Sequence, residues 1–238
     1  MKIEVYADAD AVALEAAKLI AKEAREAVAA RGTFVMAVSG GKTPWIMLRD
    51  LAHEDVPWKG VHVVQVDERV APEGDADRNL RHLRESLLEH APLRTEQIHT
   101  MAVESQNLQA ACAEYTQILN TLAGSPPVLD LVHLGLGPDG HTASLVPGDP
   151  VRDVSDSDVA LTGIYQNRRR MTLTYPILNR ARRVLWLVTG SEKTSMLTRL
   201  QAGDASIPAG GVSRDHAVVL ADRAAAGQVV KESKKEVA

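Results

Sequence analysis

Cysteine and aromatic residues are the scarce components of this 238-residue chain. Cys112 is the one cysteine, and Phe, Trp and Tyr together make up 3%. A lone thiol excludes an internal disulfide and fits a reducing, cytoplasmic setting. With so few rings, the core must be assembled from Ala, Val, Leu and Ile. The 45% apolar content is enough for one large α/β domain. No apolar run reaches about 18 residues, so no membrane-spanning helix is expected. The first residues, MKIEVYADADAV, are interrupted by acids and do not read as a signal peptide. Cysteine and histidine lack zinc-type spacing, so no metal site is expected. A formal charge of −4 argues against non-specific nucleic-acid binding, which needs excess positive charge to displace counterions. It leaves room for a local basic pocket. A Gly-x-Ser-x-Gly nucleophile elbow is also absent, and Cys112 falls mid-helix, where a thiol acts as a small core residue.

What is present is a steady alternation of strand-like and helix-like segments. Ile3–Tyr6 alternates as a short strand, and Asp8 or Asp10 can cap the helix that follows. In that helix Val12, Ala16, Leu19, Ala27 and Val28 recur at helical spacing, with Gly32 as its stop. Further strands are expected at 33–38, 61–66, 128–134, 159–165, 171–174, 184–189 and 217–220. Helices are expected to start near Pro44, to cover 77–90 and 107–122, and to run from a Ser191 cap to Gln201. The charged tail 231–238 reads as frayed. No repeat or linker divides the chain, which reads as one domain over 1–238. The fold class expected is α/β: a Rossmann-like, mostly parallel sheet with helices on both faces. In such sheets ligands bind beyond the carboxyl ends of the strands.

Several strand-end loops carry chemistry. Ser39-Gly40-Gly41-Lys42-Thr43-Pro44 enters a helix, and its backbone amides and hydroxyls suit a phosphate. It lacks Walker spacing and reads equally as a capped strand–helix turn. Asp67-Glu68-Arg69 follows an apolar strand. Arg69 offers a planar fork to phosphate oxygens, and Asp67 could orient it or touch sugar hydroxyls, while at least one of the three is expected in a solvated loop. Asn79 could be a polar pocket residue or a helix-face residue, and it reads as the latter. In "VHLGLGPDGHTASLVPG", Gly135 and Gly137 permit unusual dihedrals and close approach of a ligand. Asp139 and His141 lie two apart on a turn entering a helix. His141 can accept a proton near neutral pH, with Asp139 to fix its tautomer; the alternative is a cap and a packing histidine. Arg168-Arg169-Arg170 precedes a strand, whose alternation turns Arg168 and Arg170 one way and Arg169 the other. Lys193 sits in a first helical turn, where the dipole disfavours a cation unless an anion is near. Together these loops describe a site for a small phosphorylated molecule.

The segments "SGGKTP", "DERVAPEGDADRNLRHLRESLL", "LGLGPDGHTASLVPG", "RMTLTYPILNRARRVLWLVTGSEK" and "SIPAGGVS" closely resemble the 6-phosphogluconolactonase family, within the superfamily that also holds glucosamine-6-phosphate deaminase. The resemblance implies hydrolysis of 6-phosphoglucono-1,5-lactone in the oxidative pentose phosphate pathway, without metal or organic cofactor. It places the catalytic histidine on His141, with phosphate contacts on Arg69, Lys193, Arg170 and Ser39–Pro44. Asp139 would orient His141, and amides of Gly135, Gly137 and Gly140 would receive the oxyanion. Two departures stand out. Val146 replaces a frequent Phe, a packing change, and Arg78 replaces a frequent Ser at the expected pocket edge. Deaminase relatives carry Asn-Glu-Pro where this chain has Leu145-Val146-Pro147, so their extra acid is missing. A sugar-phosphate-binding regulator is the non-enzymatic alternative, and the chain has no spare basic domain for one. A dinucleotide-binding dehydrogenase is excluded, since "GLGPDG" matches Gly-x-Gly-x-x-Gly only in spelling and comes too late in the chain. The sequence sets no oligomeric state.

Overall fold

In a computed structural model that describes residues 1–227, the expected alternation is realised almost throughout. The expected frayed tail, 231–238, lies outside the described residues. β1 (Lys2–Tyr6) leads into α1 (Ala9–Arg31), which Asp8 caps by accepting the Ala11 amide at 2.9 Å and Gly32 closes. β2 (Phe34–Val38), α2 (Lys42–Leu51), β3 (Val61–Gln65) and β4 (Asp67–Arg69) follow. α3 (Asn79–Leu83) continues into a wider turn of π type at Arg84–Leu88. Next come β5 (Ile98–His99), α4 (Leu108–Ala123), β6 (Leu131–Gly135), β7 (Val159–Leu161) and β8 (Arg170–Leu173). α5 (Tyr175–Arg180), β9 (Val184–Val188), α6 (Thr194–Ala202), β10 (Ala217–Asp222) and α7 (Arg223–Ala226) complete the described chain.

Seven strands form one parallel sheet in the order β1-β10-β9-β6-β2-β3-β5. Its inner strands are buried on both faces, which is why they read as continuous apolar runs. The pleat divides each strand between two cores. Phe34, Met36 and Val38 pack with α1, α2 and Leu80, Leu83 and Leu87. Val35 and Ala37 face the other side, with Leu134, Trp186 and the apolar faces of α4 to α7. Cys112 lies in that second core, where burial pushes its thiol up to about 11. Among the described residues, no helix is long and apolar enough to cross a membrane.

From β2 the chain builds outward to β3 and β5, then returns to lay β6, β9 and β10 on the other side. The order therefore reverses between β2 and β6. The loops at the carboxyl ends of these two strands part to leave a crevice.

Some expectations need correction. Asp67-Glu68-Arg69 is no solvated loop: it is β4, paired antiparallel with β8, which in turn pairs with β7. This three-stranded sheet was not foreseen, because its members are short and far apart in sequence. Asp67 and Glu68 are buried and Arg69 half-buried. The helix expected over 77–90 shortens to α3 and the π-type turn. Ser191 caps no helix: it opens a 3-10 turn, Ser191–Lys193, and α6 starts at Thr194 without a side-chain cap. The turn holding Asp139 and His141 enters no helix.

Leu134 is fully buried on β6 in the core under α4 to α7. Leu134→Ala should lower unfolding free energy by about 2–5 kcal/mol, the range for large-to-small changes in packed cores. Urea denaturation checks this, and a loss under about 1 kcal/mol would contradict the assigned packing.

Candidate functional site

β2 ends at Val38, and Ser39 turns out over β6. The Ser39 amide donates to His133 Nδ1 at 3.2 Å, and its hydroxyl donates to the His133 carbonyl at 2.9 Å. The Ser39 side chain is therefore engaged and buried, leaving the rest of the loop to meet a ligand. Gly41, at φ 134°, takes a backbone that a side chain would strain, and this aims the start of α2 at the crevice. Among the described residues, the amides of Gly40, Gly41, Lys42 and Thr43 have no protein acceptor. The Thr43 and Thr189 hydroxyls share one hydrogen bond of 2.8 Å, so one hydroxyl proton stays free for a ligand.

β4 supplies the second wall. Arg69 stands directly opposite Arg170 of β8 in the antiparallel register. Like charges in that relation repel. Arg170 is only 4% exposed; burial and the Arg69 charge both press its pKa down. Among the described residues, neither guanidinium has a carboxylate partner. Arg69 donates to the Asn79 side-chain oxygen, and Arg170 to Gln166 Oε1 at 3.0 Å.

Between Asp67 and Arg69 sits Glu68, fully buried. Its carboxylate accepts from the amides of Arg69, Asn79 and Leu80, each at 2.8 Å, and from Gln65 Nε2 at 3.0 Å. Arg78 Nε lies 3.2 Å away as its counter-ion. A buried carboxylate persists only when so many donors surround it. In return it ties the start of α3 to β4 and sets Asn79 beside Arg69. Asn79, expected on a helix face, is thus a buried site residue. Arg78, expected at the pocket edge, instead turns inward behind the site, onto Glu68 and Glu104.

The third wall follows β6. Gly135 keeps an ordinary strand backbone, and the positive φ of this segment falls on Gly140 instead. At Gly137 a Cβ would collide with the His141 ring, so only glycine permits the ring's position. Asp139 Oδ1 lies 2.6 Å from His141 Nδ1 and accepts the His141 amide at 3.1 Å. The carboxylate therefore performs both of the roles open at the sequence level, orienting the ring and closing the turn. Burial alone would raise the Asp139 pKa. The His141 amide, the His141 ring and the Tyr165 hydroxyl outweigh it and hold the carboxyl below its usual value. With Nδ1 engaged by Asp139, Nε2 is the free nitrogen of His141. The amides of Gly137 and Gly140 donate within the turn, to the carbonyls of His141 and Gly137. The expected oxyanion donors at these two positions are already occupied in this conformation.

These walls enclose a cavity of about 520 Å³. Ser39, Gly40, Gly41, Lys42, Thr43, Asp67, Arg69, Gly135, Gly137, His141, Arg170 and Lys193 all line it. Of the arginine run, Arg170 faces the cavity, Arg168 pairs with Asp75 and Asp77, and Arg169 bonds the Thr162 carbonyl. Asn79, which sequence reasoning set on a helix face, also lines it, as do Thr189, Glu192 and the stacked rings of Trp45 and His82, which it missed. Thr189 had a usable signal: it ends an apolar strand, as Ser39 does.

Residues 7–221 match the family described as glucosamine-6-phosphate isomerases/6-phosphogluconolactonase. The chain is 35% identical to 6-phosphogluconolactonase of Mycobacterium tuberculosis, covering 95% of this chain and 98% of that one. It is 36% identical to the Synechocystis protein of the same name, over 76% of each chain. The solved 6-phosphogluconolactonase of Thermotoga maritima superposes with a TM-score of 0.82 at 26% identity, covering 93% of this chain and 98% of that one. A monomeric glucosamine-6-phosphate deaminase superposes equally well, with a TM-score of 0.82 at 20% identity, covering 95% and 99%. That likeness shows the fold alone.

The wall under Ser39 makes a testable contribution to stability. His133 is fully buried, and desolvation drives its pKa from 6.5 down to about 3. The folded ring therefore stays neutral while the unfolded ring takes a proton below pH 6.5. Its contribution is complete above that value and falls as pH drops toward 3, by about 1.4 kcal/mol per pH unit. Between pH 6.5 and 5, the wild type should lose about 2 kcal/mol more stability than His133→Gln. Urea titrations across this window decide it; parallel curves for the two proteins would contradict the assignment.

Proposed function

Because the chain belongs to the glucosamine-6-phosphate isomerase/6-phosphogluconolactonase family, we propose that it hydrolyses 6-phospho-D-glucono-1,5-lactone to 6-phospho-D-gluconate. This is the lactone-opening step of the oxidative pentose phosphate pathway, and a cytoplasmic location goes with that role. One observation carries the reading: two opposed guanidiniums, without carboxylate partners among the described residues, share a cavity with a carboxylate-oriented histidine. The first feature calls for a dianion such as a phosphate monoester. The second supplies a base for opening an ester.

The proposed chemistry is metal-independent. Asp139 holds the proton of neutral His141 on Nδ1, so Nε2 takes a proton from water. The water oxygen bonds to C1 of the lactone, and the carbonyl electrons move onto oxygen. As the tetrahedral intermediate collapses, the bond from C1 to the ring oxygen breaks. His141 returns its proton to that oxygen, leaving the open-chain acid. Arg69, Arg170, Lys193 and the Ser39–Thr43 loop hold the phosphate, assisted by the N-terminus of α2. Fixing the phosphate places C1 against the water. The free amides of the Gly40–Thr43 segment and the two guanidiniums are among the donors available to the phosphate and the developing oxyanion.

Deamination of glucosamine 6-phosphate on the same fold is disfavoured by Val146. This buried apolar residue stands where deaminase relatives carry an acid, and it cannot move a proton. Ammonia release from that amino sugar is the test of this second reading.

Hydrolysis of freshly prepared lactone, measured against its spontaneous rate, tests the first. His141→Ala should lower kcat by about 10²- to 10⁴-fold with little change in KM. Arg69→Ala and Lys193→Ala should chiefly raise KM, by roughly tenfold or more for each lost charge-assisted contact. Near-normal turnover in His141→Ala would remove the base assignment. Wild-type hydrolysis at the spontaneous rate would remove the lactonase reading.

A further inference from the structure

Only one carboxylate oxygen of Asp139 is directed at the His141 ring. The other, Oδ2, accepts a hydrogen bond of 3.0 Å from the Tyr165 hydroxyl. The Tyr165 ring stands behind the cavity, against His141 and Arg170, which line it. We propose that Tyr165 is a positioning residue: its hydroxyl orients Asp139 and limits the negative charge Asp139 imposes on His141, while its ring seats Arg170. The role in catalysis rests on the lactonase reading above; the coupling of the three side chains does not.

The local sequence explains how the ring is delivered. β7 and β8 are joined by a hairpin in which Thr162 donates its amide to the Arg170 carbonyl at 2.9 Å. Nearer the tip, Tyr165 and Arg168 exchange backbone hydrogen bonds of 3.0 and 3.2 Å around Gln166 and Asn167. Those two residues have φ of 50° and 62°, the paired positive values of a tight type I′ connection. The tip is pinned by Arg168, which reaches Asp75 at 2.9 Å and Asp77 at 3.2 Å. Alternation along the hairpin turns Ile164 to solvent, 77% exposed, and Tyr165 inward.

Tyr165 thus touches both halves of the site. Its ring meets His141 edge-on, with centroids 5.7 Å apart and planes at 63°. The Arg170 guanidinium lies 5.2 Å from the same ring's centroid, in cation–π range. Gln166, the next residue, accepts from Arg170. One hairpin therefore carries the anion-binding Arg170, the clamp on that arginine and the donor to Asp139.

The effect on His141 has a definite sign. A hydrogen bond donated to a carboxylate stabilises its charge and makes it a weaker proton acceptor. Without the Tyr165 hydroxyl, Asp139 attracts the imidazolium more strongly, and Nε2 holds its proton to higher pH. The other charged groups of the cavity are Lys42 at the start of α2, Asp67 and Arg69 on β4, and Asp77 before α3. Arg170 on β8, and Glu192 and Lys193 after β9, complete the set. Among the described residues, Asp139 is the one acid paired with His141.

Tyr165→Phe removes the hydroxyl and keeps the ring under Arg170. Two measurements on the full chain test the proposal: the His141 titration by NMR, and the pH profile of kcat/KM for lactone hydrolysis. The His141 midpoint and the acid limb should rise together by roughly half a pH unit. At pH values on that limb, kcat should fall by up to about threefold with little change in KM, since a half-unit shift is at most a factor of about three. In an Asp139→Asn background, Tyr165→Phe should move the His141 midpoint no further. An unmoved midpoint in the single variant, an equal shift in the Asp139→Asn background, or a rate loss without a shift would overturn the proposal. If the wild type does not hydrolyse the lactone, the lactonase reading fails on its own, and the NMR titration still decides the coupling.

Discussion

Arg69 and Arg170 face each other across two antiparallel strands, one half-buried and the other almost wholly so. Isolated, this arrangement works against the fold: like charges repel, and burial removes the water that would screen them. Much of the architecture around them answers that conflict. Asn79 and Gln166 offer neutral oxygens, the Tyr165 ring offers its negative face, and Asp67 contributes a nearby carboxylate. None of these cancels a positive charge by direct pairing. A bound dianion would, and the binding energy so released could position a substrate.

The support behind the site follows the same logic of buried charge held by many donors. Glu68 is fully buried, yet four donors and the Arg78 guanidinium surround it. It joins β4 to α3 and so relates Arg69 to Asn79. His133 does the corresponding work under the Ser39 loop as a neutral ring. Asp139 is shared in the same way by His141 and Tyr165. The parallel sheet supplies rigid strand ends; these polar networks set which side chains stand at them.

The parallel sheet was legible because its strands are buried on both faces and read as apolar runs between helical segments. The strand-end rule then brought Ser39, Asp67 and Gly135 to one crevice. What escaped depended on partners distant in sequence. Asp67-Glu68-Arg69 is three charged residues, and nothing local reveals that β8, about a hundred residues later, pairs with it. The burial of Glu68 becomes intelligible only once amides from α3 converge on it. Asn79 was misplaced for that reason, since its helix is short and anchored at the very end that bears it. Tyr165 gave no signal, because its role depends on a hairpin turn carried by Gln166 and Asn167 rather than by glycine. The roles proposed for His141, Arg69 and Lys193 came from the family resemblance more than from their spacing.

In the proposed reading, the opposed arginines make a phosphate site which holds the sugar against His141. Calorimetric titration with 6-phosphogluconate and with unphosphorylated gluconate, each with and without inorganic phosphate, tests it most directly. Binding of the phosphorylated acid, competition by inorganic phosphate and no measurable heat from gluconate are expected. Equal binding of the two acids, untouched by phosphate, would contradict this reading.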